Sequence, residues 1–225
     1  DLVRSRGLGD VYKRQQLREG QFDVLLFGDV LQELDTGPVR QLVAAAGPVP
    51  LFVVDQEDDP MDHRDPILAR LDSARISGYF KREMLACVSY PPDTFPLPFS
   101  HTAPIGTVRS FQERHRAVFW AGHRKYGLRQ LYLERIEAIL GESFDRLYEP
   151  QAYAQALAES RIALCFFGFG FDTVRYWEAP AHGCLLLAER PPIRIPHNFE
   201  DGTSAVFFDD LPQLEQKLVY YLAHS

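Results

Sequence analysis

Short apolar runs alternate with stretches of helical period along most of this chain. Phe22–Val30 (FDVLLFGDV), Leu51–Asp55 (LFVVD) and Ile76–Phe80 read as strands, and Val39–Ala46, stopped by Gly47, and Pro66–Ala74 read as helices. A second series begins at Ala117–Ala121 (AVFWA), which Gly122 ends. The helix after it carries Leu128, Leu131, Tyr132, Ile136, Ile139 and Leu140 at a 3.6-residue period, interrupted only by Arg135. Tyr153–Glu159 is a shorter helix, and Ile162–Phe167 is a buried strand. A helix opens near Asp172 or Thr173 and stops at Gly183, with strands at Cys184–Ala188 and Ala205–Phe208 beyond it. The last helix, Leu211–His224, has Asp210 as its cap, Pro212 in its first turn, and a stripe of Leu211, Leu214, Leu218, Tyr221 and Leu222.

Apolar strands alternating with helices predict parallel sheets covered on both faces, an α/β architecture. Residues 89–106 are proline-rich, a poor substrate for a helix or a central strand, and read as a linker. The expected organisation is two Rossmann-like domains. The first, residues 16–100, is partial and merges into the linker at its end; the second spans 107–225. No internal repeat is visible.

Residues 4–15, RSRGLGDVYKRQ, closely resemble a translated sequencing adapter, and the chain begins with Asp1. Native sequence is therefore expected from about Gln16, with residues 1–15 non-native.

Composition trims the function classes. With 225 residues and 46% apolar content the chain can bury a real core. A net charge of −7 argues against a general nucleic-acid binder. No apolar run approaches the length of a membrane span, and no secretory signal is visible. The three cysteines, Cys87, Cys165 and Cys184, show no zinc spacing, and two lie in apolar runs. They read as thiols of a reducing compartment, which points to a cytoplasmic location, including the cytoplasmic face of the inner membrane.

The densest chemistry lies in residues 168–189, GFGFDTVRYWEAPAHGCLLLAE. Strand, glycine loop, helix and strand follow one another there. Such a unit aims the positive end of a helix at an anion above the loop. Gly168, Phe169 and Gly170 form the loop, and Asp172 or Thr173 opens the helix, Thr173 as its cap or as a hydroxyl to phosphate. Arg175, Glu178 and His182 stand at i, i+3 and i+7 on one helix face. Arg175 suits a diphosphate and Glu178 a ribose diol. The alternatives are a salt bridge for Arg175, a solvent carboxylate for Glu178 and a dipole-favoured helix end for His182. His123, Arg124 and Lys125, with Arg129 a turn later, put cations after a strand, where ligands of open α/β sheets bind. In the first half, VVDQEDDPMDHRD (53–65) lacks the pattern of an EF-hand, and no metal site is assigned. Asp55 and Asp58 are its candidate catalytic carboxylates. Tyr79, Lys81, Arg82 and Glu83 form a polar cluster that is either a substrate wall or a solvent edge. G-x-S-x-G, Walker and H-E-x-x-H motifs do not occur.

FWAG with the basic turn HRK, then RYWEAPAHGCLLLAE, then NFEDGTSAVFFDDLPQLEQKLVYYL give Val118–His224 a resemblance to the C-terminal half of a GT-B glycosyltransferase. It looks most like the "glycosyl transferases group 1" type of spore-maturation-like bacterial proteins. EAPAHG resembles the E-A-x-A-x-G signature of that superfamily. The resemblance implies a glutamate on the nucleotide ribose, here Glu178, and a glycine loop facing the diphosphate, here Gly168–Gly170. The implied substrate is a nucleotide-diphosphate sugar with no separate cofactor, and the implied acceptor is a glycan, a protein or a lipid-linked sugar. Many retaining relatives carry a second glutamate eight positions earlier. That position is Gly170 here, so the acid and the stereochemistry stay unassigned. In inverting relatives the base comes from the N-terminal domain. The rival expectations are a nucleotide-sugar epimerase or other GT-B-like enzyme, and a non-catalytic binding module of the same fold.

Overall fold

Strands of a parallel sheet need crossovers, and the short helical segments between the apolar runs supply them. The computed structural model describes residues 15–28, 31–32, 35–72, 76–101 and 108–224. Apart from Gln15, the adapter-like stretch lies outside the described residues, as do Asp29 and Val30 of the first expected strand and residues 73–75 around the end of the second expected helix. The chain divides into two compact units, Asp1–Leu97 and Pro98–Ser225.

The first unit runs β1 (Leu25–Gly28), α1 (Gly37–Ala45), β2 (Leu51–Asp55), α2 (Arg64–Leu71), β3 (Gly78–Lys81) and β4 (Thr94–Pro96). All four strands pair in parallel in chain order. Helices α1 and α2 pack on the face that carries Leu51 and Val53, where Leu42, Ile67, Leu71 and Tyr79 are buried. The opposite face presents a row of rings, Phe52, Phe80 and Phe95, 5.6–6.0 Å apart.

Strand β4 falls inside the segment expected to be linker. Its place at the sheet edge explains how a proline-rich segment can pair. Tyr79 N donates inward to Asp93 O and Leu97 N to Lys81 O. Thr94 N turns back to Pro91 O, and Pro96 has no N–H to offer.

The second unit runs β5 (Arg116–Phe119), α3 (Arg129–Leu140), α4 (Pro150–Ala158), β6 (Ser160–Cys165), α5 (Val174–Ala181), β7 (Leu185–Glu189), β8 (Val206–Phe208) and α6 (Leu211–Ala223). Its four strands are again parallel and in chain order. Strands β6 and β7 are central and almost wholly buried, as their apolar runs require. Side chains alternate between two core layers. Val118, Trp120, Leu164 and Phe208 meet Tyr132, Leu133 and Ile136 of α3 and Leu214 and Leu218 of α6. Phe119, Ala163, Leu186 and Phe207 meet Leu157 of α4 and Tyr176 and Ala179 of α5. The two units together are an α/β architecture of two Rossmann-like parallel sheets, the class expected for a GT-B protein.

Local chemistry sets the ends of the elements that matter. The Asp210 carboxylate accepts from Gln213 N at 2.8 Å and caps α6. Helix α5 extends one residue past Pro180, which cannot supply the N–H that would bond Tyr176 O, and ends at Ala181. Gly183 ends it at φ +74°, where an added Cβ would lie 2.4 Å from Val108 Cγ1 and 2.6 Å from Arg114 Nη2. Arg114 is itself buried. It donates to His182 O at 2.7 Å, Ser160 O at 2.9 Å and Arg109 O at 3.0 Å. It thereby fastens the end of α5 to the start of β6.

Candidate functional site

The C-terminal ends of β5 and β6 carry two guanidinium groups that arrive from opposite faces of the sheet. Arg129, on α3, is only 8% exposed and donates to His123 O (3.0 Å) and Phe166 O (3.1 Å). Arg175, on α5, donates to Ala121 O. These carbonyls belong to the loops that leave the two strands. No described ion pair takes either guanidinium, and the Nε of each is buried without a hydrogen-bond partner. Burial, and after it the nearby Arg175 charge, push Arg129 below the usual arginine range.

Two glycines keep this place open. At Gly122 an added Cβ would sit 3.6 Å from Arg175 Nη2, 3.8 Å from Arg129 Nη1 and 3.6 Å from Trp120 Cζ2, and φ is +142°. The positive φ is what closes the position to a side chain, the Cβ distances being ordinary contacts. The Trp120 indole N–H is buried there with no partner among the described residues. At Gly168 an added Cβ would lie 3.1 Å from Arg129 Nη2. Neither Gly168 nor Gly170 has a positive φ, so close approach rather than backbone freedom explains Gly168. Gly168 N donates to Gly170 O at 2.8 Å, closing the loop on itself and holding Phe169 out at its apex, 74% exposed.

Helix α5 places the rest. The Glu178 carboxylate accepts from the Tyr153 hydroxyl of α4 at 2.8 Å through Oε2. His182 follows the helix, and its Nδ1 pairs with the main-chain oxygen of Glu178 at 2.9 Å, not with the carboxylate. Arg175 and Glu178 thus come together, while His182 serves the helix end.

Several other sequence-derived candidates have partners within the fold. Asp172 is 5% exposed and accepts from Phe99 N and from Trp177 Nε1 (3.0 Å), which makes it a structural tether. Thr173 stands at the N-cap of α5 but makes no side-chain cap; its hydroxyl meets the Cys165 thiol at 3.0 Å. Arg124 is committed to Glu137 and Asp145 instead of the glycine loop. His123 and Lys125 are exposed, and the Lys125 ammonium lies 5.1 Å from the centre of the Tyr126 ring. In the first unit, Asp55 is fully enclosed and neutralised. Its Oδ2 accepts from Tyr79 OH (2.8 Å) and the buried Lys81 ammonium (3.2 Å), and its Oδ1 accepts from Glu57 N (3.2 Å), with no exposed surface left on the side chain. Asp58 pairs with Arg82 at 2.5 Å and is 45% exposed.

Tyr153 and Glu189 were missed. Glu189 ends β7, accepts from Phe167 N at 3.0 Å and from Tyr132 OH at 3.4 Å, and so fixes the residue that precedes the glycine loop. Burial raises its pKa. A signal for it existed: an acid closing an apolar strand meets the same strand-end rule that marked His123–Lys125. Among the described residues no helix is long and apolar enough to cross a membrane, and no three His, Cys, Asp or Glu side chains gather as a metal would need.

No curated protein sequence matches the chain. Residues 124–225, which carry Arg129, the glycine loop, Arg175, Glu178 and Glu189, match the family model described as glycosyl transferase-like, and this match supports a glycosyltransferase.

Proposed function

We propose that the protein transfers a sugar from a nucleoside diphosphate donor, and that the ends of β5 and β6 hold the diphosphate. One observation carries this reading: two guanidiniums converge beside Gly122 and Gly168 with carbonyls as hydrogen-bond partners and, among the described residues, no carboxylate ion-paired to either, Glu189 acting on Arg129 only through space. Two like charges held together in a half-buried setting are costly unless an anion completes the site. A diphosphate brings two to three negative charges and accepts the planar forks that arginine presents. Glu178, one helical turn beyond Arg175, lies where the adjoining ribose would offer its diol.

In the transfer step the bond between the anomeric carbon and the diphosphate oxygen breaks, and negative charge builds on that oxygen. Arg129 and Arg175 stabilise this charge, assisted by the Trp120 N–H. They are pre-positioned by the carbonyls that hold them, so little reorganisation is needed. The acceptor hydroxyl takes the anomeric carbon and gives up its proton. The departing diphosphate oxygen can take that proton, so the step balances between donor and acceptor.

Calorimetric titration with UDP, GDP and ADP tests the reading. At least one is expected to bind, with affinity falling as salt rises. If none binds, the donor assignment is wrong.

A further inference from the structure

We propose that Tyr153 is a positioning residue: its hydroxyl fixes the Glu178 carboxylate so that its second oxygen stays open to the ribose diol. This rests on the donor reading above and adds a residue to it from a different helix.

Tyr153 sits on α4, and its ring packs edge-on against the buried Phe119 of β5, with centroids 5.2 Å apart and planes at 80°. The ring is therefore anchored to the sheet, independently of α5. From there the hydroxyl reaches Glu178 Oε2 at 2.8 Å, with the Arg175 charge close by. A carboxylate without a proton can only accept, so the phenol proton goes to Glu178. Burial foremost raises the phenol pKa to about 12, with Glu178 adding to the rise and Arg175 opposing it, so the hydroxyl keeps its proton over the working range.

An untethered glutamate on a helix surface samples many rotamers, and ordering it costs about 1–2 kcal/mol. Here that ordering is done before ligand arrives, which is preorganisation in the ordinary sense. Glu178 Oε1 has no protein partner among the described residues, so one acceptor remains.

The test uses the whole chain and two ligands: the tightest binder among UDP, GDP and ADP, and its 2′,3′-dideoxy counterpart. The wild type is expected to prefer the ribose form by about tenfold, the worth of a hydrogen bond to a charged group. Tyr153→Phe keeps the ring on Phe119 and removes the hydroxyl. It is expected to weaken the ribose form about fivefold and the dideoxy form less than twofold, so the preference largely disappears. An unchanged preference overturns the proposal. An equal loss for both ligands also overturns it, because that is what a merely structural strap between α4 and α5 would give. Glu178→Ala separates the two levels of the argument. If that variant keeps the preference, the ribose assignment falls and Tyr153's role with it. If Glu178→Ala loses the preference and Tyr153→Phe keeps it, only the role of Tyr153 falls. Should Tyr153→Phe unfold, Tyr153→4-aminophenylalanine, which keeps the ring, its reach and a donor hydrogen, is read in its place. A preference within about twofold of wild type supports the proposal, and a fall to the Glu178→Ala level overturns it.

Discussion

The two sheets have the same strand order and put charge at the same place, the C-terminal strand ends, yet they treat it in opposite ways. In the first unit the charges are closed on one another: Asp55 with Lys81 and Tyr79, Asp58 with Arg82. In the second unit Arg129 and Arg175 have carbonyls as hydrogen-bond partners and, among the described residues, no ion pair, with Glu189 only near enough to favour the Arg129 charge. Burial alone does not separate the two, since Lys81 is more enclosed than Arg129. The separating property is whether charge is balanced within the fold. A balanced strand end is architecture. An unbalanced one is a site that a ligand completes, and the same residue types serve either purpose.

The sharpest break of this comparison is Lys81→Met. It strands the Asp55 carboxylate in the core and is expected to cost about 3–5 kcal/mol by chemical denaturation, most of it regained in the Asp55→Asn, Lys81→Met double variant. A small loss would mean that the first unit is not held by internal balance. Next comes Arg175→Met. Nucleoside diphosphate affinity is expected to drop about 100-fold. Its melting temperature should move little, because one of two repelling charges is gone. A stability loss on the Lys81 scale would place Arg175 with the architecture and end the contrast. The smallest effect concerns Arg124, a second-unit cation that does have counter-charges. Burial works against Glu137, but Arg124 and the Phe144 N–H outweigh it and hold its carboxyl below the usual value. A lowered native pKa means stability that is fully present above the ordinary glutamate pKa and lost as pH falls through the native one. Glu137→Gln should therefore cost about 1–2 kcal/mol near pH 7, with the gap to wild type closing below about pH 4. A gap that persists in acid would show that the pair contributes packing and not charge.

Period and composition made the frame of both units legible, because each strand is an apolar run and each helix a 3.6-residue stripe. Gly122 and Gly168 also stood out, though the reason for Gly168 is the nearness of Arg129 and not a turn. Arg175 and Glu178 could be placed on one face by counting. Their partners could not. Tyr153 meets Glu178 across two helices, Arg124 turns to Glu137, and Asp172 is taken by Phe99 and Trp177. The pairings with Tyr153, Glu137 and Phe99 join segments apart in the chain, and spacing within one element carries no record of that. Strand β4 escaped because prolines hide an edge strand from any propensity argument.

That edge has a consequence of its own. A terminal strand normally displays a row of unpaired N–H groups that a second chain can copy onto, the first step toward fibres and precipitates. On β4 the outward donors are gone: Thr94 spends its N–H on Pro91, and Pro96 has none. The neighbouring Phe95 ring, 43% exposed, is the kind of sticky surface that makes such copying dangerous. The prolines therefore work as a guard rail for colloidal stability, and replacing Pro96 with a β-former would be the quickest way to make this protein come out of solution.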